Sequence, residues 1–324
     1  MIELFCAFAL SFGLTAASGL PLLPLLRRLK LGQSIREEGP RWHMSKSGTP
    51  TMGGLMFAVG ITVTVLLLGL PYLSRGRYEH MLALAFAWLY GGIGFADDFF
   101  KVARRRNLGL TALQKLMLQL AAAAALLALM RLCGYTTADV YLPLLRLTAP
   151  LPWILFLTLA LLYVAGFVNA VNLTDGVDGL CSGVTLPVAV FFAALCLAWN
   201  RPAPALFAAA LAGGTAGFLP YNFHPARVFM GDTGSLFLGG ALCGLALAID
   251  APLLLPLVGL VYLIEIVSVV LQVGYFKATG GRRLFKMTPI HHHFEMSGWS
   301  EPKIFCVFSA LTALLCLAVY LAER

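Results

Sequence analysis

Charged residues are scarce in this chain: Asp, Glu, Lys and Arg make up 12% of its 324 residues, against 60% hydrophobic residues. A soluble globular protein carries about 25% charged and about 45–50% apolar residues. The mean hydropathy is +0.85, and a soluble fold of this composition would need a core larger than its polar surface could cover. The composition therefore excludes the soluble, disordered and fibrous classes and predicts a polytopic membrane protein.

Several motifs that would define other protein classes are also missing from the sequence. The seven cysteines are odd in number and include no CxxC pair, so no disulfide framework or zinc site is predicted. No Walker A pattern or kinase Gly-rich loop occurs, which disfavours ATP-driven transport. The net charge is +8, but no stretch mixes basic and aromatic residues, so no nucleic-acid partner is predicted.

Long apolar runs fill the chain instead. A helix that crosses a bilayer needs about 20 apolar residues, and Asp250 and Pro252 mark a turn that divides one long run into two. We therefore predict an all-α fold, a single transmembrane domain over residues 1–324, with ten membrane-spanning helices: 2–26, 52–72, 79–97, 111–132, 151–169, 180–199, 204–221, 234–250, 252–275 and 303–321.

The positions of the basic residues predict how these helices are oriented. Most of the 23 Lys and Arg residues fall in one alternate set of connections between the spans. The positive-inside rule assigns that set to the cytoplasm. An even number of spans then places both termini on the outer side of the membrane.

The short polar motifs all fall on the predicted cytoplasmic side. Carboxylates that face hydrocarbon are costly, so those at the helix ends must lie in water, form ion pairs or bind a cation. The outward connections contain no comparable cluster, which predicts a site at the boundary between membrane and cytosol. The five motifs are Lys46 with 47–54, Asp97-Asp98, Asn169–Gly179, Asn222–Ser235 and His291–His293.

Three aspartates are the candidates for catalysis. Asp97 and Asp98 close the predicted third span, where a solvated helix end is the simplest interpretation. However, an Asp at a helix C-terminus opposes the helix dipole, and adjacent carboxylates can share a divalent cation. Asp232 precedes the predicted eighth span, where it would either cap the helix or lie in an environment that attracts phosphate.

The segment Asn169–Gly179 is unusually rich in hydrogen-bonding side chains. A helix cap would explain one or two of these residues but not all of them. The Asp-Gly-x-Asp-Gly spacing at Asp175–Gly179 is similar to part of a calcium-binding loop, but the full pattern of that loop is missing. We therefore predict contacts with a polar ligand, with or without Mg²⁺, from Asn169, Asn172, Asp175 and Asp178.

The three consecutive histidines, His291, His292 and His293, are predicted to line a phosphate site. Zinc is disfavoured because consecutive histidines diverge on a helix and no HxxxH partner is present. The carboxylates of the other motifs favour an oxygen-ligated ion, Mg²⁺ or Mn²⁺. Glu265, within the ninth span, fits no motif, and we expect it to be paired or solvent-facing without a catalytic role.

Two further residues have two interpretations each. Lys46 is either one more positive-inside charge or a counter-charge for phosphate, with Thr51 nearby. Phe229 is either an anchor at the membrane interface or a surface on which a flat base stacks.

These motifs, in this order over essentially the whole chain, resemble those of the polyprenyl-phosphate N-acetylhexosamine-1-phosphate transferase family, glycosyltransferase family 4. Three histidines in succession resemble the branch that uses UDP-MurNAc-pentapeptide, since relatives that use UDP-GlcNAc usually show an interrupted histidine pattern. The segments that carry the resemblance are Gly48–Gly54, Asp97-Asp98, Asn169–Gly179, Phe229–Asp232 and Pro289–Glu295.

The resemblance implies an activity. Phospho-MurNAc-pentapeptide would pass from its UDP carrier to undecaprenyl phosphate in the bacterial cytoplasmic membrane, giving lipid I and UMP. Mg²⁺ would be required, with Asp232 as its ligand, Asp97 as the base towards the lipid phosphate and Asp98 in support. The family also forms homodimers. Substrate contacts would come from Lys46, Thr51, Asn169, Asn172, Asp175, Asp178, Asn222, Phe229, His291, His292 and His293.

Two alternatives remain open at this point. A sister transferase would use UDP-GlcNAc instead. A secondary transporter would need a site near the bilayer midplane, often within paired repeats, and no inverted repeat is evident in this sequence. The sequence leaves open whether the lipid phosphate attacks directly or an aspartate forms a phospho-enzyme.

Overall fold

The computed structural model describes residues 1–28, 46, 48–103 and 109–324. Part of the basic connection after the first helix therefore lies outside the described residues, as do Ser47 and Arg104–Arg106.

The described chain is predominantly helical, as predicted. Long helices follow one another with short connections, and two short helices, α9 and α11, occur near the C-terminus. In chain order the elements are α1 Ile2–Arg28, α2 Gly54–Leu73, α3 Glu79–Ala103, α4 Ala112–Leu132, β1 Asp139–Leu142, β2 Leu147–Pro150, α5 Trp153–Thr174, α6 Leu180–Ala198, α7 Pro202–Asn222, α8 Gly231–Ala248, α9 Leu254–Val258, α10 Leu260–Ala278, α11 Ile290–Glu295 and α12 Glu301–Glu323.

Nine helices within the described ranges are long and apolar enough to cross a membrane. They are α1, α2, α4, α5, α6, α7, α8, α10 and α12. This confirms a polytopic membrane protein. The remaining long helix, α3, has 25 residues and includes Asp97, Asp98 and Lys101 in its last part.

Helix α8 lies at the centre of the bundle, and nearly all of its side chains are buried together with those of α7. Small residues permit this close packing. A Cβ added at Gly240 would lie 2.6 Å from the carbonyl oxygen of Phe86 on α3, and one added at Gly94 would overlap the carbonyl of Asp232. The close approach at Gly94 brings the charged end of α3 against the start of α8.

The largest differences from the predicted spans occur at three places. Helix α3 continues to Ala103, so Asp97 and Asp98 lie within the helix rather than at its end. Helix α5 continues to Thr174 and includes Asn169 and Asn172. The predicted ninth span is divided at Gly259, where a Cβ would lie 2.7 Å from both the Leu255 carbonyl and the Phe167 ring.

A small β-hairpin corrects the all-α prediction. Strands β1 and β2 pair antiparallel, with Leu142 opposite Leu147. Leu144 and Arg146 adopt positive φ angles in the connecting turn, which a hydropathy pattern does not reveal. The hairpin contacts the end of α12, where the Tyr141 hydroxyl lies 2.5 Å from Glu323 Oε2.

Candidate active site

Three carboxylates from two helices meet at one end of the bundle. Asp97 and Asp98 come from α3 and Asp232 from the first turn of α8, and one oxygen of each lies within 4.8 Å of the others. Asp97 and Asp98 are each only 3% exposed. We call these three residues the acidic cluster.

Two lysines form ion pairs with the acidic cluster. Lys101 Nζ lies 2.6 Å from Asp97 Oδ2 and 2.7 Å from Asp232 Oδ2. Lys115 Nζ, from α4, lies 3.0 Å from the same Asp232 oxygen. In the sequence these two lysines are not distinguished from the other basic residues of the predicted cytoplasmic connections. The available signal was the spacing of Lys101, three and four residues after the paired aspartates on one helix face.

The start of α8 holds Asp98 in place. The Thr233 hydroxyl donates to Asp98 Oδ2 at 2.7 Å, and the Thr233 and Asp232 backbone N–H groups donate to the same carboxylate at 2.9 and 3.3 Å. A helix N-terminus offers such free N–H groups and a positive dipole end. Gly231, with a φ of +69°, makes this approach possible, since a Cβ there would lie 2.6 Å from both Asp98 Oδ2 and Thr51 Oγ1.

Asn172 connects α5 to the acidic cluster. Its Nδ2 donates to Asp232 Oδ1 and to Ser235 Oγ, each at 2.7 Å. Asp97 in turn accepts a hydrogen bond of 2.7 Å from the backbone N–H of Leu110. The cluster thus gathers groups from α3, α4, α5 and α8 around one point.

The donor set of the acidic cluster fits a hard divalent cation. All three residues offer carboxylate oxygens, which Mg²⁺ prefers, and no sulfur or imidazole is among the cluster's potential ligands. The Lys101 ammonium, between Asp97 and Asp232, already places a positive charge there.

A second charged group surrounds Lys46. Its Nζ lies 2.7 Å from Asp178 Oδ1 and 2.6 Å from Glu301 Oε2. Asp178 Oδ2 lies 3.1 Å from His224 Nδ1 and accepts from the Ala226 N–H at 2.9 Å. Lys46 and Asp178 are predicted site residues, whereas no sequence motif points to Glu301 or His224. We call Lys46, Asp178, His224 and Glu301 the Lys46 cluster.

The charges of both clusters act on the pKa of Asp175. Desolvation raises the pKa of this carboxyl well above its ordinary value, and the negative charges of Asp232, Asp98 and Asp178 raise it further. Lys46 opposes the shift.

The three histidines have three different partners, as expected for consecutive residues on a helix. His291 Nδ1 lies 3.0 Å from Glu265 Oε2, and His292 Nδ1 lies 2.6 Å from Glu295 Oε2. His293 Nδ1 accepts from the Lys286 N–H at 3.1 Å. Glu265 was expected to be either paired or solvent-facing, and it is paired with His291.

Other predicted site residues make contacts apart from the two clusters. Asn169 Nδ2 donates to Gln119 Oε1 at 2.7 Å. The buried Asn222 donates to the Val228 carbonyl at 3.1 Å. The Phe229 backbone bonds to Pro50 and Gly53, which ties the segment before α8 to the segment before α2.

Comparison with known proteins gives matches over nearly the whole chain. The family model for glycosyl transferase family 4 matches residues 80–250, and phospho-N-acetylmuramoyl-pentapeptide-transferase signature 1 matches residues 46–57. A phospho-N-acetylmuramoyl-pentapeptide-transferase of Clostridium botulinum (strain Alaska E43 / Type E3) is 45% identical over 98% of this chain and 95% of its own length. Proteins with the same name from Carboxydothermus hydrogenoformans and Desulforamulus reducens are 46% and 48% identical, covering 96% and 98% of this chain and 96% and 95% of their own lengths.

The chain belongs to the phospho-N-acetylmuramoyl-pentapeptide-transferase family, within glycosyl transferase family 4. The resemblance inferred from the motifs is thereby confirmed. The stretch that matches glycosyl transferase family 4 contains the whole acidic cluster, and the signature of the narrower family begins at Lys46 and includes Thr51. Glu265 and the three histidines lie outside both matched stretches.

Proposed function

We propose that this protein transfers phospho-MurNAc-pentapeptide from UDP-MurNAc-pentapeptide to undecaprenyl phosphate, releasing UMP and forming lipid I. The observation that carries the proposal is its 45–48% identity to transferases of that name over nearly the full length of both chains. The whole chain, residues 1–324, then acts as one transferase domain.

The acidic cluster is the proposed centre of the reaction. Asp97, Asp98 and Asp232 would hold Mg²⁺, and Asp232 is the metal ligand that the resemblance implies. When bound, a divalent ion neutralises charge on the diphosphate and so favours departure of the nucleotide. Support comes from the carboxylate oxygens within 4.8 Å of one another and from Lys101, which lies between two of them.

The lipid phosphate would be the nucleophile. Its second pKa is about 6, so at neutral pH it already carries the charge it needs for attack. Phosphoryl transfer depends mainly on positioning and on charge stabilisation. Asp97 therefore serves to orient the phosphate more than to remove a proton, and Lys101 attracts it to the cluster. Direct attack by this oxygen is the simplest course.

The nucleotide-sugar side of the site would be built around the Lys46 cluster. Lys46 supplies a cation for the diphosphate, and the Phe229 ring would stack on uracil. Partly buried hydrogen bonds from Asn172 hold Asp232 and Ser235 in place. The remaining proposed contacts are Thr51, Asn169, Asp175, Asp178, Asn222, His291, His292 and His293.

The proposed setting is the bacterial cytoplasmic membrane, with the site facing the cytosol. With α3 added to the nine candidate spans, the membrane-spanning helices would number ten. Both termini would then lie on the outer side. The excess of basic residues on one side of the membrane supports this orientation. Homodimer formation stays a prediction from the family resemblance.

The decisive experiment measures UMP release by purified protein with undecaprenyl phosphate and Mg²⁺. UMP release with UDP-MurNAc-pentapeptide and none with UDP-GlcNAc supports the proposal. Release with UDP-GlcNAc alone assigns the protein to the sister activity, and no release with either substrate contradicts a transferase. A labelled enzyme formed without lipid acceptor would contradict direct attack.

A further inference from the structure

Glu265 is a carboxylate with no exposed surface inside the membrane-spanning helix α10. Ionisable side chains at such positions are costly, and they are usually retained with a partner and a function. The partner of Glu265 is His291, 26 residues later on α11. Glu265 Oε2 lies 3.0 Å from His291 Nδ1 and 3.4 Å from the His291 backbone nitrogen. One carboxylate oxygen thus faces both the ring and the main chain of the first histidine.

The opposite edge of the His291 ring faces the polar segment after α5. A Cβ added at Gly176 would overlap His291 Nε2 and would lie 2.7 Å from His291 Cε1. His291 is fully buried, and within the described residues its Nε2 has no hydrogen-bond partner. The ring is therefore held between Glu265 on one side and Gly176, next to Asp175, on the other.

The pairing also determines which nitrogen of a neutral His291 carries the proton. The nitrogen next to a carboxylate is the donor, which leaves the other nitrogen as an acceptor. With Nδ1–H directed to Glu265, the acceptor Nε2 faces the segment that contains Asp175 and Asp178. At metal sites, outer partners orient functional histidines in this way. Removing such a partner lowers metal affinity or activity about 10–100-fold.

We propose that Glu265 is a positioning residue for the nucleotide-sugar side of the site. It fixes the orientation and tautomer of His291, and His291 in turn supports the segment of Asp175 and Asp178 through Gly176. This inference rests on the proposed function, because it assigns the effect of Glu265 to one of the two proposed substrates. The acidic cluster and the lipid phosphate are not involved.

The test compares Glu265→Gln with a matched control on the same helix. Glutamine keeps the shape of the side chain and one acceptor oxygen but removes the charge that selects the tautomer. The control is Ser268→Ala. Ser268 is buried one turn further along α10, and its hydroxyl donates only to the Glu265 carbonyl at 2.7 Å.

For Glu265→Gln we expect the KM for UDP-MurNAc-pentapeptide to rise about tenfold, while the KM for undecaprenyl phosphate stays within about twofold. Glu265→Asp, which restores the charge, should recover part of the loss. Ser268→Ala should leave both KM values unchanged. A second arm combines Glu265→Gln with His291→Gln. If Glu265 acts through His291, the double variant is no worse than His291→Gln alone.

Two results would overturn the inference. The first is unchanged kinetics in Glu265→Gln. The second is an equal rise of both KM values together with a lower melting temperature, which would make the pair a purely structural contact. If the wild-type protein releases no UMP, the proposed function fails separately. Calorimetric binding of UDP to the same variants then decides the role of Glu265, and equal affinity in all of them rejects it.

Discussion

Lys101 Nζ lies 2.7 Å from Asp232 Oδ2, across the contact between α3 and α8. The same ammonium lies 2.6 Å from Asp97 Oδ2 on its own helix. A cation at this point helps three carboxylates to share one end of a membrane-embedded bundle, because without it only Lys115 would offset their mutual repulsion.

Removing a single carboxylate of the acidic cluster tests its proposed catalytic role. Asp97→Asn, Asp98→Asn and Asp232→Asn should each reduce UMP release at least about 100-fold, since each removes charge that the reaction requires. The measurement is the rate of UMP release by purified protein, with the melting temperature as a check on folding. Asp139→Asn, on the exposed hairpin, is the control and should keep full activity. Full activity in any cluster variant would remove that residue from the site.

Replacing Lys101 should change the affinity of the acidic cluster for a divalent ion. The ammonium bonds to oxygens of Asp97 and Asp232 that a cation would use. Lys101→Gln should therefore bind Mn²⁺ more tightly, as measured by electron paramagnetic resonance, while UMP release falls. The control is Lys303→Gln, because Lys303 lies over the Trp299 ring. Unchanged Mn²⁺ affinity in Lys101→Gln would show that lysine and ion do not share these oxygens.

The Lys46 cluster should be sensitive to the loss of its central charge. Lys46→Met leaves the largely buried carboxylates of Asp178 and Glu301 without their cation. Breaking a buried ion pair on one side costs about 3–5 kcal/mol, so we expect a lower melting temperature and a higher KM for UDP-MurNAc-pentapeptide.

A double-variant cycle separates the charge effect from other effects of the Lys46 substitution. Adding Asp178→Asn to Lys46→Met removes one of the uncompensated carboxylates, so part of the lost thermal stability should return. If the stability lost in the double variant equals the sum of the losses in the two single variants, Lys46 and Asp178 do not interact energetically.

Gly176→Ala should disturb His291 directly. The added methyl group would overlap the imidazole, and the ring has no free space because Glu265 lies on its other side. We expect a loss of UMP release with a raised KM for the nucleotide sugar. Gly166→Ala on α5 is the matched control, because nothing lies within 4 Å of its Cβ position. Wild-type kinetics in Gly176→Ala would show that the ring moves aside without consequence.

The acidic cluster was largely predictable because carboxylates are conspicuous in a chain with so few charges. Asp97, Asp98 and Asp232 lie next to long apolar runs, where an unneeded carboxylate would be expensive. Their lysine partners were not predictable in the same way, because positive-inside charges are common in cytoplasmic connections. Lys115 and Asp232 are 117 residues apart in the sequence, and no local pattern relates them.

The end of helix α3, like the lysine partners, depends on tertiary contacts that the sequence does not reveal. Hydropathy predicted that the third span ends at Asp97, but α3 continues to Ala103. Contacts from Lys101, Thr233 and the start of α8 compensate the charges within the helix. Those contacts belong to the packing of two helices and not to the segment itself.

The amino-acid sequence alone was enough to predict a helical membrane protein, the polar motifs that are candidates for its chemistry and the family it resembles, because apolar runs and rare charges are local properties. The pairing of Glu265 with His291, the contact of Glu301 with Lys46 and the two lysines of the acidic cluster could be found only in the folded structure. Those pairings depend on how helices pack over long separations in sequence, and the close approach permitted by glycines such as Gly94 determines which side chains meet.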